Sequence, residues 1–108
     1  MPMFRIMLRM EIKQGLEEDF EQTWRSVADT VNRQPANTGQ WLLRGDEPGS
    51  IYYIVSDWTD EESFRAFERS SAHIEHRRKL HPYRLAGTMT TMHMVHRFAG
   101  AGAGAGAV

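Results

Sequence analysis

The residues with the clearest capacity for chemistry lie on one short stretch, from His73 to His81. His73 and His76 are three residues apart, so on a helix they share one face, and Arg77 continues it. An imidazole titrates near neutral pH and can remove a proton from a phenol or from an activated C–H group. A neighbouring guanidinium, from Arg77 or Arg78, can then stabilise the oxyanion that forms. The stretch therefore predicts an acid–base site with His73 or His76 as the base.

Two other interpretations of these histidines stay open on sequence grounds. Charged residues surround both of them, namely Glu75, Arg77, Arg78 and Lys79, as on a helix face that is simply solvated. Two histidines at this spacing can also bind zinc or iron, but a third protein ligand is needed. The chain contains no cysteine and no H-E-x-x-H motif, so we expect no metal site.

Aromatic side chains near the end of one strand can form a wall for a flat organic molecule. Trp58 ends a β-rich run, and Phe64 and Phe67 follow it, three residues apart on the next helix. An indole can stack on an aromatic ligand and donate a hydrogen bond, but it can equally be a core residue. We interpret these three residues as candidate substrate-binding groups, together with His81 and with Trp41 in the short second strand.

Six predicted elements position these residues in the order β-α-β-β-α-β. Alternation of apolar and polar residues predicts strands, and apolar residues three or four apart predict helices. The second helix is predicted to begin with Thr59 as N-cap and Glu62 as its capping-box partner, and to restart at Ala72 after Ser70 and Ser71. The predicted ranges are a strand at 4–13, a helix at 16–31, strands at 40–44 and 51–58, a helix in two pieces within 60–80, and a strand at 88–98.

This order is that of the α+β ferredoxin-like βαββαβ fold, whose helices cover one face of the sheet. The other face would carry Met, Tyr, Trp and Thr side chains, and a large exposed apolar face favours dimerisation. Two such sheets packed face to face would close a dimeric α/β-barrel. We therefore expect one domain at 1–98 that forms a homodimer. An Ala-Gly tail at 99–108 is expected to be disordered, or ordered only by another copy.

Composition argues against several classes of function. With 108 residues, a net charge of −1 and no cysteine, the chain lacks the basic excess of nucleic-acid-binding proteins and has no disulfide or thiolate site. No apolar run is long enough to span a membrane. Arg5, Arg9 and Glu11 interrupt the apolar residues of the N-terminus, unlike a signal peptide. We expect a cytoplasmic protein with neither nucleic acid nor membrane as partner.

Taken together, these residues resemble the antibiotic biosynthesis monooxygenase family. The resemblance is carried by the element order, by Asp57-Trp58 at the end of the third strand, by Thr-Asp-Glu-Glu-Ser-Phe-Arg-Ala-Phe directly after it, and by His-Ile-Glu-His further on. It covers about Met3 to Phe98. Within the family, the chain is similar to small proteins that accompany aromatic polyketide synthases, a group that includes quinone-forming anthrone oxygenases.

The resemblance implies a homodimer that oxidises an anthrone-type aromatic polyketide to a quinone with O₂ and needs no cofactor, neither flavin, haem nor metal. It implies that Trp58 is a wall and a hydrogen-bond donor, that His73 or His76 is the base, and that Arg77 or Arg78 stabilises the anion. Two alternatives stay open. One is a cyclase or aromatase that acts on a poly-β-ketone chain, and the other is a non-catalytic accessory protein of an aromatic polyketide pathway.

Two positions depart from an anthrone oxygenase of that group. The strand residue four before the tryptophan is an asparagine there and Ile54 here. The aromatic residue six after the tryptophan is a tyrosine there and Phe64 here. Neither Ile54 nor Phe64 can exchange a proton. Catalysis by this chain would therefore depend on other residues, and the histidines of the following helix are the best candidates.

Overall fold

The computed structural model describes residues 3–103, which form one four-stranded sheet with helices packed on one of its faces. The elements are, in chain order, strand β1 at Phe4–Ile12, helix α1 at Glu17–Asn32, strand β2 at Asn37–Arg44, strand β3 at Ile51–Trp58, helix α2 at Glu61–Glu68, helix α3 at Ser71–Leu80, a 3-10 turn at His81–Tyr83, and strand β4 at Arg84–His93. The sheet has the order β2-β3-β1-β4, with every neighbouring pair antiparallel. The predicted βαββαβ ferredoxin-like arrangement is therefore confirmed.

The pairing of β1 decides which side chains face the helices. Phe4 lies opposite Trp58 on β3 and opposite His93 on β4, whereas Met10 lies opposite Gly87 near the other end of the sheet. Directly opposed residues point to the same face, so the even-numbered residues of β1 share a face with Trp58. These residues belong to two buried apolar clusters that also contain residues of all three α-helices. The odd-numbered residues of β1 face away from the helices.

The last strand differs from its prediction at both ends. It begins at Arg84, because its first residues pair with Glu11 and Ile12 across a β-bulge. It ends at His93, because His93 lies opposite Phe4, the first residue of β1, and nothing in that strand remains for later residues to pair with. The predicted strand at 88–98 was therefore too late by several residues.

The helix starts show one wrong and one correct capping prediction. Asp60, and not Thr59, is the N-cap of α2, and its Oδ1 accepts a hydrogen bond from the Ser63 N–H at 2.7 Å. Thr59 lies between β3 and α2, and its N–H donates to the Ala36 carbonyl, just before β2, at 2.9 Å. Ser70 caps α3 by accepting from the His73 N–H at 3.2 Å, which confirms the predicted break between the two helical pieces.

The outer face of the sheet carries apolar side chains that no part of the described chain covers fully. Trp41 is 46% exposed and Leu43 is 49% exposed, and both lie on β2. Of the predicted tail, residues 99–103 are described and exposed, with a 3-10 turn at Ala101–Ala103, and 104–108 lie outside the described residues. The dimer and the disorder of the tail stay predictions. Within 3–103, no helix is long and apolar enough to cross a membrane.

Candidate active site

A cavity of about 320 Å³ lies between the inner face of the sheet and helices α2 and α3. This volume is at the lower end of the range for ligand pockets, about 300–1,000 Å³. The strand pairing places Trp58 and Arg84 at opposite ends of β1, and α3 runs between them, so the lining residues follow one another from one end of the cavity to the other. The cavity has an aromatic end near Trp58, two histidines in its middle, and basic residues at the end near Arg84.

Trp58, Phe64 and Phe67 form the aromatic end of the cavity. Trp58 is 1% exposed, its ring stacks on Phe67 at 5.3 Å between centroids, and it meets Phe64 edge-on at 5.5 Å. Its indole N–H donates to Ser56 Oγ at 3.1 Å. Trp58 is thus a core residue and a cavity wall at once. Because its N–H already has an acceptor, a ligand would have to share or replace that bond. The substrate-binding roles of these aromatic residues stay predictions.

His73 and His76 line the middle of the cavity from α3. The His73 ring meets Phe67 edge-on at 5.2 Å, and it lies nearly parallel to the His76 ring at 6.4 Å between centroids. The Nδ1 atom of each histidine is buried and has no hydrogen-bond partner in the part of the chain that the structure describes. Both side chains line the cavity and are only partly exposed, so the helix face that they share is not a freely solvated one.

Burial lowers the pKa of both imidazoles, because it disfavours the charged form. For His73, the carbonyl of Glu68 opposes this effect and the positive charge of Arg77 adds to it. For His76, a charge on His73 lowers the pKa further, since two neighbouring cations repel each other. Both side chains are therefore neutral at pH 7, which is the form that can accept a proton.

These lowered pKa values predict a pH dependence of stability. As the pH falls below about 6.5, the unfolded chain binds protons at positions 73 and 76 that the folded chain does not, so the free energy of unfolding decreases. Above that pH both states are neutral at these positions, and stability is unaffected by them. Urea titrations at pH 7.5 and pH 5.5 should show the decrease.

The double variant His73→Asn/His76→Asn is the control for this pH dependence, and its decrease should be smaller than that of the wild type. An equal decrease in both proteins would show that the two imidazoles are not held neutral by the fold. Glu17, Glu47 and Asp60, whose pKa values are lowered, contribute little to this difference, because at both pH values they are largely ionised in the folded and in the unfolded chain.

The two candidate arginines, Arg77 and Arg78, lie on different sides of α3, and only Arg77 lines the cavity. Arg77 lines the cavity next to the histidines. Arg78 does not, because it lies about 200° around the helix from His76 and points away from the sheet. Its exposed guanidinium instead lies 3.4 Å from Glu75 on the same helix. The prediction that Arg78 stabilises an anion in the site is therefore corrected, and Arg77 is the arginine in position to do so.

Trp41 lies on the outer face of the sheet, away from the cavity. Its strand partner is Val55, on the face of the sheet opposite to the helices. There its ring lies 5.7 Å from the Arg5 guanidinium, which in turn forms a two-point ion pair with Asp57 at 2.7 and 2.8 Å. The interpretation of Trp41 as a wall of the substrate site is corrected, because the side chain is on the wrong face of the sheet.

Six further polar residues line the cavity, and of these only His81 was predicted: Gln40, Ser56, Glu68, His81, Arg84 and Thr88. Arg84 was missed because the predicted strand began four residues later, which left position 84 in a loop. Gln40 was missed because it lies at the start of a predicted strand, yet it faces inward opposite Ser56 and its amide donates to the Ala28 carbonyl at 2.7 Å. The correct start of β4 would have been the signal for Arg84, whereas the inward direction of Gln40 follows only from its pairing with Ser56. Among residues 3–103, no three His, Asp or Glu side chains are grouped as a metal site would require.

Comparison with known proteins agrees with this architecture. The family model for Antibiotic biosynthesis monooxygenase matches residues 3–79. Among solved structures, a variant of SnoaB, a cofactor-independent oxygenase from Streptomyces nogalater, is 20% identical with a TM-score of 0.78, over 88% of this chain and 95% of that one. A putative antibiotic biosynthesis monooxygenase from Caulobacter crescentus is 12% identical with a TM-score of 0.79, over 88% and 92% of the two chains. Another from Bordetella bronchiseptica is 20% identical with a TM-score of 0.78, over 91% and 100%.

The chain belongs to the antibiotic biosynthesis monooxygenase family, since the family match covers most of its length. The resemblance inferred from the sequence is therefore confirmed. The structural neighbours are too distant in sequence to show more than a shared fold. Comparison with curated protein sequences gives no match.

Proposed function

We propose that this protein is a monooxygenase that oxidises an anthrone-type aromatic polyketide to a quinone with O₂ and requires no cofactor. The observation that carries the proposal is a pair of half-buried imidazoles, His73 and His76, which line an aromatic-walled cavity and are kept neutral by burial. Such groups are suited to removing a proton from a flat, weakly acidic molecule.

The reaction balances without an external reductant. An imidazole removes one proton from the CH₂ carbon of the anthrone, which leaves a delocalised anion. That anion supplies the electrons for C–O bond formation with O₂, and the imidazolium returns its proton to the peroxide. Loss of the second hydrogen with cleavage of the O–O bond gives the carbonyl group and one water molecule. One oxygen atom of O₂ thus enters the quinone and the other leaves as water.

The remaining lining residues support this sequence of steps. Arg77 lies beside the histidine pair, where a positive charge favours the anion over its neutral parent. Trp58, Phe64 and Phe67 offer the apolar aromatic surface that a polycyclic ring system requires. SnoaB is a cofactor-independent oxygenase, and the fold that it shares with this chain supports the same type of reaction here.

A comparison of aerobic and oxygen-free reactions tests the proposal against its alternatives. The purified protein should convert an anthrone to its quinone in air and should leave it unchanged under argon. A cyclase or aromatase would consume a poly-β-ketone substrate equally in both conditions. An accessory binding protein would bind the anthrone or quinone and convert neither. Either of these last results would overturn the proposal.

We also propose that a second copy of the chain covers the outer face of the sheet, which closes a dimeric α/β-barrel. The exposed Trp41 and Leu43, beside Val55 on the same face, support this. Leu43→Glu is expected to dissociate the dimer, because a carboxylate without a partner is costly to bury. Sedimentation equilibrium should give twice 12.4 kDa for the wild type and 12.4 kDa for the variant.

The matched control for the dimer is Ile74→Glu. Ile74 is exposed on α3, on the opposite side of the molecule from the outer sheet face. The mass of this variant should equal that of the wild type. A monomeric wild-type protein, or a Leu43→Glu variant that stays dimeric, would contradict the proposed arrangement.

A further inference from the structure

The end of the cavity farthest from Trp58 is basic. Arg77, His81 and Arg84 all line it. The stretch from 71 to 85 contains Arg77, Arg78, Lys79 and Arg84 but only one acidic residue, Glu75, in a chain whose net charge is −1. Positive charge is therefore concentrated around this end of the cavity. This charge adds to the field that an anionic ligand would meet on entry.

Arg84 is held in the cavity by its position on the sheet. It is the first residue of β4, where the bulge in the pairing with β1 displaces the strand. Its guanidinium lies over Gly87, since a Cβ at position 87 would be 3.4 Å from Nη1 and 3.5 Å from Cζ. Any side chain larger than a methyl group at that position would compete with the guanidinium for the same space. The glycine thus leaves room for Arg84 against the cavity floor.

In the part of the chain that the structure describes, Arg84 has no carboxylate partner. Within residues 3–103, neither Arg84 nor Arg77 forms an ion pair, although Arg5, Arg65 and Arg78 each do. Among the described residues, Glu68 is the only carboxylate that lines the cavity, and it is paired with Arg65 at 3.1 Å. A half-buried guanidinium without a partner is unfavourable unless a ligand supplies the negative charge.

We propose that the substrate carries a carboxylate group and that Arg84 is the specificity residue that binds it at the basic end of the cavity. This inference rests on the proposed function, because it names the substrate class of the same site. The planar guanidinium of Arg84 can bind both oxygens of a carboxylate, and Arg77 and His81 add positive potential around it. The ring system of the substrate then extends from Arg84 past the histidine pair toward Trp58.

Binding of two matched quinones tests the inference without any oxidation step. Anthraquinone-2-carboxylate and anthraquinone-2-carboxamide have the same ring system and differ in charge. Isothermal titration calorimetry at pH 7.5 should give the wild type about 10-fold tighter binding of the carboxylate, as one charge-assisted contact of this kind provides. Arg84→Gln should weaken carboxylate binding about 10-fold and leave carboxamide binding within about twofold, while Arg84→Lys should retain part of the preference.

Arg78→Gln is the matched control, because it removes the same charge from an arginine on α3 that lies outside the cavity, and it should leave both affinities unchanged. Equal binding of the two quinones by the wild type, an equal loss for both in Arg84→Gln, or binding of neither would overturn the inference. A wild type that prefers the carboxylate but forms no quinone from an anthrone would instead overturn the proposed oxidation and leave this inference standing.

Discussion

Replacing both cavity histidines with asparagine, in the variant His73→Asn/His76→Asn, is expected to lower kcat for anthrone oxidation by about 10²–10⁴-fold. This is the usual contribution of a positioned general base. Asparagine keeps a polar side chain of similar size but cannot accept a proton at neutral pH. Steady-state rates of quinone formation, followed by absorbance under air, give the measurement. The single variants show which imidazole is the base, because the residue that removes the proton should account for most of the loss.

His93→Asn is the control for this prediction. His93 lies on the same side of the sheet, against the Phe4 ring at 5.0 Å, but it does not line the cavity. Its replacement should leave kcat within about twofold of the wild type. If the double variant retained the wild-type rate while binding the anthrone normally, His73 and His76 would have no part in proton removal.

Trp58→Ala is expected to give the largest loss of stability, about 3–5 kcal/mol in the free energy of unfolding. Trp58 is 1% exposed and packs against both Phe64 and Phe67, so its removal leaves a void between the sheet and α2. A loss of that size is a large part of the total stability of an ordinary domain, about 5–15 kcal/mol. Urea unfolding followed by circular dichroism measures it.

Phe98→Ala provides the comparison for Trp58→Ala. Phe98 follows the last strand, is 85% exposed, and has His96 as its aromatic neighbour. Its truncation should change the free energy of unfolding by less than about 0.5 kcal/mol, as is usual for an exposed side chain. Similar effects of the two substitutions would mean that Trp58 does not hold the core as its burial indicates.

The fold could be predicted from the sequence because local patterns agree with the tertiary structure. Period-two alternation from Phe4 to Ile12 marks a strand with one buried face, and the observed β1 has that pattern. The glycine in the turn between β2 and β3 is also required, because Gly49 has a φ of +95°. The order of elements and the break before α3 followed from such signals.

The candidate site was only partly predictable, because strand pairing decides which residues reach it. The spacing of His73 and His76 placed them on one face of α3, and that face lines the cavity. Alternation within β2 predicts that Trp41 and the residues next to it lie on opposite faces of the sheet. Only the pairing with Val55 shows that the face of Trp41 is the outer one. Arg84 entered the site through a β-bulge, a feature with no local sequence signature here.

An oxygen-labelling experiment tests whether the histidine pair drives oxidation without a cofactor. Wild-type protein freed of flavin and treated with a metal chelator is incubated with anthrone under ¹⁸O-labelled O₂, and the product is analysed by mass spectrometry. We expect quinone with one labelled oxygen atom, formed well above the rate of His73→Asn/His76→Asn. A requirement for added flavin or metal would show that the protein depends on a cofactor, and equal rates in the two proteins would show that the histidine pair does not drive the oxidation.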